Sequence, residues 1–208
     1  MEHSGDSGRE SPADADRRAL LEIALRSIGN GLDGGPPLVP EADALGERLR
    51  RRQGAFVTLH RQDELRGCVG SMEGEEVLGA TVARVAWEAA FADSRFLPLR
   101  PDELDSLRIE ISVLSPLEEV AAGSLEELGA LLRPRVDGLL IETLGHHATF
   151  LPAVWDNVSG RDEFLALLWR KAGLPPGRWP VTAYRYTAEE FEATVPELTD
   201  GPGLEAPS

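Results

Sequence analysis

Two runs of strand-forming residues in the first half of the chain place the strongest constraint on its fold. Residues 54–60 and 65–72 are rich in apolar and β-branched side chains, and the four residues between them are polar. Two such runs joined by a short polar connection predict an antiparallel β-hairpin. The second run contains Gly67 and Gly70, and a glycine inside a strand marks a bulge or a close approach to the backbone.

The segments that flank this hairpin switch between helical and extended patterns. Apolar residues recur at helical spacing from about Asp16, from Glu76 and in residues 161–172, and a shorter helix is predicted near 124–132. Further strands are predicted at residues 107–115, 136–144, 147–154 and 181–187. Because hairpins dominate and strict βαβ alternation is missing, the pattern predicts an α+β fold with a mainly antiparallel sheet and flanking helices.

Composition limits the classes of partner. The 208 residues include 36 acidic and 21 basic side chains, a formal net charge of −15, which repels nucleic acid and anionic membranes. Much of this excess lies in residues 1–15 and 194–208, which lack apolar periodicity and are predicted to be disordered tails around a domain at 16–193. We therefore predict a protein that binds neither nucleic acid nor membranes.

The single cysteine, Cys68, excludes an intrachain disulfide and any zinc site built on paired cysteines. The first residues lack the charged and apolar regions of a signal peptide, so we expect a cytoplasmic location. The common nucleotide-binding, hydrolase and zinc-protease motifs are missing from the sequence, and we predict no cofactor and no metal.

The segment Leu65–Gly70 is the densest candidate site. Residues two apart in a strand share a face, so Arg66 and Cys68 are expected to point the same way, roughly 7 Å apart. A cation beside a thiol favours the thiolate, which is the nucleophilic form, and Gly67 and Gly70 would let a ligand approach. The alternative is that Cys68 is buried and acts as a small, inert hydrophobic residue.

Four other residues are weaker candidates. His60 lies on the same hairpin as Cys68 and would serve as a base only if the strand register brings the two together, whereas it is otherwise a surface residue. Glu110 lies in an alternating strand, facing either solvent or a cleft. Asp93 and Arg95 either pair with each other in a turn or leave Arg95 available to bind an anion.

Several blocks of the sequence, taken together, resemble the AMMECR-type domain family. Residues 54–59 (GAFVTL) and 65–70 (LRGCVG) resemble its defining core, with Val69 in place of the usual Ile. Similar blocks follow, in the same order, at residues 93–98, 107–115, 137–139, 150–155 and 171–174. The resemblance spans about residues 17–192 and is nearest to the bacterial branch of the family, which belongs to the AmmeMemoRadiSam system. Departures include Ser94 for the usual Pro, Ala153 for a frequent Gln, and Trp169 where some relatives have a second Cys.

The resemblance implies an α+β fold with a larger and a smaller subdomain, and a cleft between them near the LRGC segment. It also implies Memo-type proteins, which are related to extradiol dioxygenases, and radical-SAM proteins as pathway partners. Two functions remain open, and a role in metal delivery is a third, for which the sequence supplies one cysteine and four histidines but no chelating spacing. The chain is either a cysteine-dependent enzyme acting on a small anionic substrate, or a non-catalytic adaptor that docks a partner through the surface around Arg66.

Overall fold

The structure is a computed structural model that describes residues 11–41 and 45–200. It is an α+β protein with two antiparallel sheets and flanking helices, as the sequence predicted. The helices are α1 (Pro12–Leu32), α2 (Leu78–Phe91), α3 (Leu125–Leu131), α4 (Arg161–Lys171) and α5 (Val195–Thr199). The strands are β1 (Ala55–Arg61), β2 (Glu64–Ser71), β3 (Leu107–Leu114), β4 (Glu118–Glu119), β5 (Gly138–Thr143), β6 (His146–Phe150), β7 (Thr182–Tyr186) and β8 (Ala188–Thr194). Short 3-10 helices lie at Arg48–Arg50, Pro101–Ser106 and Pro152–Asn157.

The chain forms two compact units, a larger one up to Ser112 and from Glu190 onward, and a smaller one at Val113–Glu189. The larger unit is built on a sheet of order β2-β1-β3-β8, which we call sheet 1. Helix α2 packs on β1 and β2, and α1 packs on α2. The fully buried side chains of this core include Leu20, Ile28, Val57, Leu59, Val82, Ile109 and Ile111.

The predicted hairpin is present as β1 and β2. Its turn is tighter than the four polar residues suggested, because Arg61 already pairs with Glu64. Gln62 and Asp63 occupy the turn with φ of 51° and 63°, the left-handed conformation that two-residue hairpin turns require. The pairing register shifts between Leu59 and His60, which marks a bulge in the ladder.

Both glycines of β2 are required by packing. A Cβ atom on Gly67 would collide with the main-chain oxygen of Ala89 in α2, and one on Gly70 would collide with the ring of Phe56. The sequence correctly indicated a close approach at these positions, but the approaching groups belong to the chain itself. Packing accounts for both glycines, and their predicted role in admitting a ligand stays a prediction.

The smaller unit contains a sheet of order β4-β7-β5-β6, covered by α3 and α4. The rings of Trp155 and Phe164 stack with their centres 3.9 Å apart. The indole Nε1 of Trp155 donates to the main-chain oxygen of Asp137 at 2.7 Å. Aromatic stacking with a satisfied indole is typical of core packing.

Parts of the predicted tails are ordered, which corrects the boundaries at Asp16 and Ala193. Helix α1 begins at Pro12, where the hydroxyl of Ser11 accepts the N–H of Asp14 as an N-terminal cap. At the other end, Thr194 and Glu197 form a capping box, and α5 buries Val195. Residues 1–10 and 201–208, also predicted as tails, lie outside the described residues.

Strand β8 was not predicted, because Glu189, Glu190 and Glu192 hide its alternation. It is an outer strand of sheet 1, where charged side chains are common. In the part of the chain that the structure describes, no helix is long and apolar enough to cross a membrane.

We predict that Gly67→Ala destabilises the folded protein by about 1–3 kcal/mol, because the new methyl group must displace main-chain atoms of α2. The free energy of unfolding in urea measures this. Gly29→Ala is the matched control, since a Cβ there meets no atom within 4 Å in α1, and it should be neutral or stabilising. Equal stability of the Gly67→Ala variant and the wild type would contradict the packing role.

Candidate functional site

Cys68 lies on the face of β2 that points away from α2. Gly67 faces Ala89 of α2, and successive residues of a strand point to opposite faces. Cys68 is directly opposite Thr58 of β1, and the Thr58 hydroxyl donates a hydrogen bond to its Sγ at 3.4 Å. The thiol is half-buried. Cys68 is therefore not a fully buried residue, and whether its thiol is reactive or inert stays a question for the proposed function.

The segment that follows α2 binds the main chain of Cys68 from the open side of β2. A carboxylate oxygen of Asp93 accepts the Cys68 N–H at 2.9 Å, and Nη2 of Arg95 donates to the Cys68 carbonyl at 3.2 Å. Asp93 and Arg95 also pair with each other through two side-chain hydrogen bonds of 2.9 and 2.7 Å. Of the two alternatives for this segment, the structure shows the pair.

Burial and charge explain why this pair is tight. The Asp93 side chain is only 7% exposed, whereas that of Arg95 is 54% exposed. The Arg95 guanidinium holds the pKa of Asp93 well below its usual range, and the Cys68 N–H adds to this effect. Asp93 in turn raises the pKa of Arg95, with a smaller contribution from Cys68. The cation beside Cys68 is therefore Arg95.

Arg66 has a different role from the predicted one. It has no partner in the β1–β2 ladder, and its Nε and Nη2 donate to the two carboxylate oxygens of Glu103 at 3.0 and 3.1 Å. The side chains of Arg66 and Glu103 are 14% and 8% exposed. The predicted support of the Cys68 thiolate by Arg66 is therefore corrected, because this guanidinium is committed to a nearly buried ion pair.

Glu103 is the centre of a small charged network. Its carboxylate also accepts Nη1 of Arg61 at 3.2 Å and the main-chain N–H of Arg100 at 3.0 Å. Arg66 is the largest cause of a pKa of about 2 for Glu103. The carboxylate joins β1 and β2 to the 3-10 helix at Pro101–Ser106.

His60 and Glu110 form a second polar pair in sheet 1. Nε2 of His60 lies 3.3 Å from a carboxylate oxygen of Glu110, which is on the neighbouring strand β3. Both side chains are half-buried. Among the described residues, neither ring nitrogen of His60 makes a hydrogen bond of good geometry. The sequence offered these two residues as separate weak candidates, and the structure brings them together.

The register places His60 near Cys68 but not in contact with it. His60 follows two residues after Thr58, which is opposite Cys68. Diagonal neighbours in adjacent strands are roughly 7–8 Å apart, so a direct hydrogen bond between His60 and the thiol is not expected.

Two contacts of this site were missed in the sequence. A two-residue turn at 62–63 alone puts Thr58 opposite Gly67, and the bulge between Leu59 and His60 then shifts it opposite Cys68, so both features are needed to find this contact. Glu103 gives no local signal, since it is one of several acids in a polar segment and its partner Arg66 is 37 residues away.

We predict that Glu103 stabilises the fold in a pH-dependent way. Its pKa is about 2 in the folded protein against 4.5 ordinarily, so its contribution is complete above pH 4.5 and is lost as the pH falls towards 2. Glu103→Gln should lower the free energy of unfolding at pH 7 by on the order of 2 kcal/mol. The difference in free energy of unfolding between the wild type and Glu103→Gln should become smaller as the pH falls.

Asp102→Asn is the control for this measurement, because Asp102 is the adjacent acid and pairs with Arg100 in an exposed contact. Urea unfolding of the three proteins between pH 7 and pH 3 supplies the comparison. If the difference in free energy of unfolding between the wild type and Glu103→Gln stays constant over this range, the charge of Glu103 does not stabilise the fold.

Comparison with known proteins identifies the family. A protein from Methanothermobacter thermautotrophicus is 38% identical over 183 residues, covering 84% of this chain and 92% of that protein. A protein from Thermococcus gammatolerans is 38% identical over 190 residues, covering 85% and 90%. The crystal structure of the uncharacterized protein PH0010 from Pyrococcus horikoshii matches with a TM-score of 0.78 at 33% identity, covering 86% of this chain and 91% of that chain.

These relatives come from archaea, so the expected bacterial assignment is without support. The family model described as AMMECR1 matches residues 21–191, which include every candidate site residue discussed above. The chain therefore belongs to the AMMECR1 family.

Proposed function

We propose that this AMMECR1-family protein is a thiol-dependent enzyme that acts on a small anionic substrate, with Cys68 as its nucleophile. The observation that carries the proposal is the setting of the sulfur. Cys68 is half-buried, accepts a hydrogen bond from Thr58, and has a fixed guanidinium at its own carbonyl. Reactive cysteines are found in partly exposed surroundings that contain a nearby cation.

Arg95 supplies the preference for an anion. Its Nε and Nη2 are engaged by Asp93 and Cys68, which holds the guanidinium plane in place while the side chain stays 54% exposed. An arginine that is positioned in advance loses little entropy when it binds a carboxylate or phosphate. The anionic group of the substrate would meet Arg95 while its reacting atom meets the sulfur.

The His60–Glu110 pair supplies acid–base chemistry at the other end of the substrate. Nε2 of His60 lies 3.3 Å from a carboxylate oxygen of Glu110, and a carboxylate beside an imidazole is a common arrangement in acid–base catalysis. Because His60 is offset from Cys68 along β1, it would exchange a proton with the substrate rather than with the thiol, and its buried ring nitrogens would have to become accessible when the substrate binds. We further propose, on the family resemblance alone, that the reaction belongs to a pathway with Memo-type and radical-SAM proteins.

The adaptor alternative was motivated by Arg66 as a docking residue. Arg66 is 14% exposed and is bound to Glu103 through two hydrogen bonds, so it offers little surface to a partner. The contacts of Arg66 thus favour the enzyme over that form of adaptor.

We predict that iodoacetamide labels Cys68 in the folded protein at neutral pH. Mass spectrometry of the intact chain follows the reaction, and Cys68→Ser, which removes the chain's single thiol, gives the background. Labelling that begins only after urea unfolds the protein would show an inert cysteine and would contradict the proposed function.

We also predict that Cys68 prefers an anionic reagent because of Arg95. Iodoacetate and iodoacetamide deliver nearly the same group but differ in charge. The ratio of the iodoacetate rate to the iodoacetamide rate should fall at least about threefold in Arg95→Gln, since one nearby charge is worth about 1 kcal/mol at moderate screening.

Arg100→Gln is the matched control for this experiment. Arg100 also pairs with an aspartate two residues away, and its removal changes the net charge by the same amount. Its pair makes no hydrogen bond to β2 among the described residues. The same fall in the rate ratio in both variants would reduce the effect to net charge and would remove Arg95 from the proposed site.

A further inference from the structure

Strand β2 is an outer strand of sheet 1, so only one of its sides is paired with another strand. The N–H and C=O groups on the open side of such a strand invite pairing with another chain. In this protein, Cys68 is the residue whose open-side groups are already bonded, to Asp93 and Arg95. We propose that the Asp93–Arg95 pair takes the place of a neighbouring strand and closes the edge of sheet 1 to strand addition by a second copy of the chain.

The pattern of hydrogen bonds supports this role. In an antiparallel ladder, a residue of the next strand would offer one acceptor to the N–H of Cys68 and one donor to its C=O. The Asp93 carboxylate provides the acceptor at 2.9 Å, and the Arg95 guanidinium provides the donor at 3.2 Å. Asp93 and Arg95 together thus supply the acceptor and the donor that one residue of a neighbouring strand would supply.

The pair is also held rigidly enough to block a competitor. The Asp93 carboxylate accepts both the side-chain and the main-chain N–H of Arg95, and it is 7% exposed. An incoming strand would have to separate this ion pair and leave the aspartate charge nearly buried without its partner, which is costly. Two effects therefore oppose pairing at this edge. The main-chain groups of Cys68 are already hydrogen-bonded, and a new strand would have to break the Asp93–Arg95 ion pair.

The outer strand β6 of the smaller unit shows a related arrangement. Nζ of Lys171 donates to the main-chain oxygen of Thr149 in β6 at 2.9 Å. A charged side chain bound to the main chain of an outer strand is a common protection against edge-to-edge association. Its recurrence in a second sheet supports the same interpretation for Asp93 and Arg95.

The test is hydrogen exchange at the Cys68 amide together with the association state. Asp93→Ala should accelerate exchange of this amide at least about tenfold, because one charge-assisted hydrogen bond is lost. The average molar mass of Asp93→Ala, measured by sedimentation, should also rise with protein concentration more than that of the wild type. The reason is that β2 of a second copy can then pair with the exposed edge. Arg95→Gln, which keeps the carboxylate, is the milder variant to use if Asp93→Ala does not fold.

Two controls separate this proposal from the thiol chemistry. Cys68→Ser keeps the main-chain N–H and C=O, so its edge should remain closed even if all reactivity is lost. Arg100→Gln removes an arginine from an exposed pair that does not bind β2 and should behave as the wild type. Unchanged exchange at Cys68 in Asp93→Ala, or faster exchange without any new association, would overturn the proposal.

Discussion

The close approach of α2 to β2 at Gly67 determines the geometry of everything around Cys68. Because a Cβ atom at position 67 would collide with the main chain of Ala89, β2 lies directly against α2. The alternation of the strand then places Cys68 on the opposite face, beside Thr58. The segment that leaves α2 passes along β2 close enough for Asp93 and Arg95 to bind the main chain of Cys68.

Two arginines near Cys68 have separate tasks because each has its own carboxylate. Arg66 and Glu103 form a nearly buried pair that stabilises the fold, whereas Arg95 is fixed by Asp93 and remains partly exposed. Exposure decides which of the two can meet a substrate. Arg66, two residues before the cysteine, is therefore structural, and Arg95, which contributes to the proposed site, lies 27 residues after it.

The sequence predicted most of the fold, because alternation and helical periodicity are local signals. It located the hairpin, the close approaches at Gly67 and Gly70, and the helix that packs on them. It missed β8, whose glutamates hide the alternation, and the ordered turns at each end of the domain, which depend on Ser11 and Thr194 caps. For the site, the sequence indicated Cys68, His60, Glu110, Asp93 and Arg95. It did not show which of these side chains contact each other, because the contacts depend on the register shift between Leu59 and His60 and on Glu103, which binds Arg66 from 37 residues away.

The proposed function requires Cys68, Arg95 and His60 to surround one binding site for a small anion. Titration of the 15N-labelled protein with a dicarboxylate such as malonate, followed by NMR, tests it directly. We expect saturable shifts of the Cys68 amide, the Arg95 Nε–H and the His60 ring signals with a single dissociation constant, while the Arg100 signals stay unchanged. Shifts that do not saturate, or that appear equally at Arg100, would contradict it.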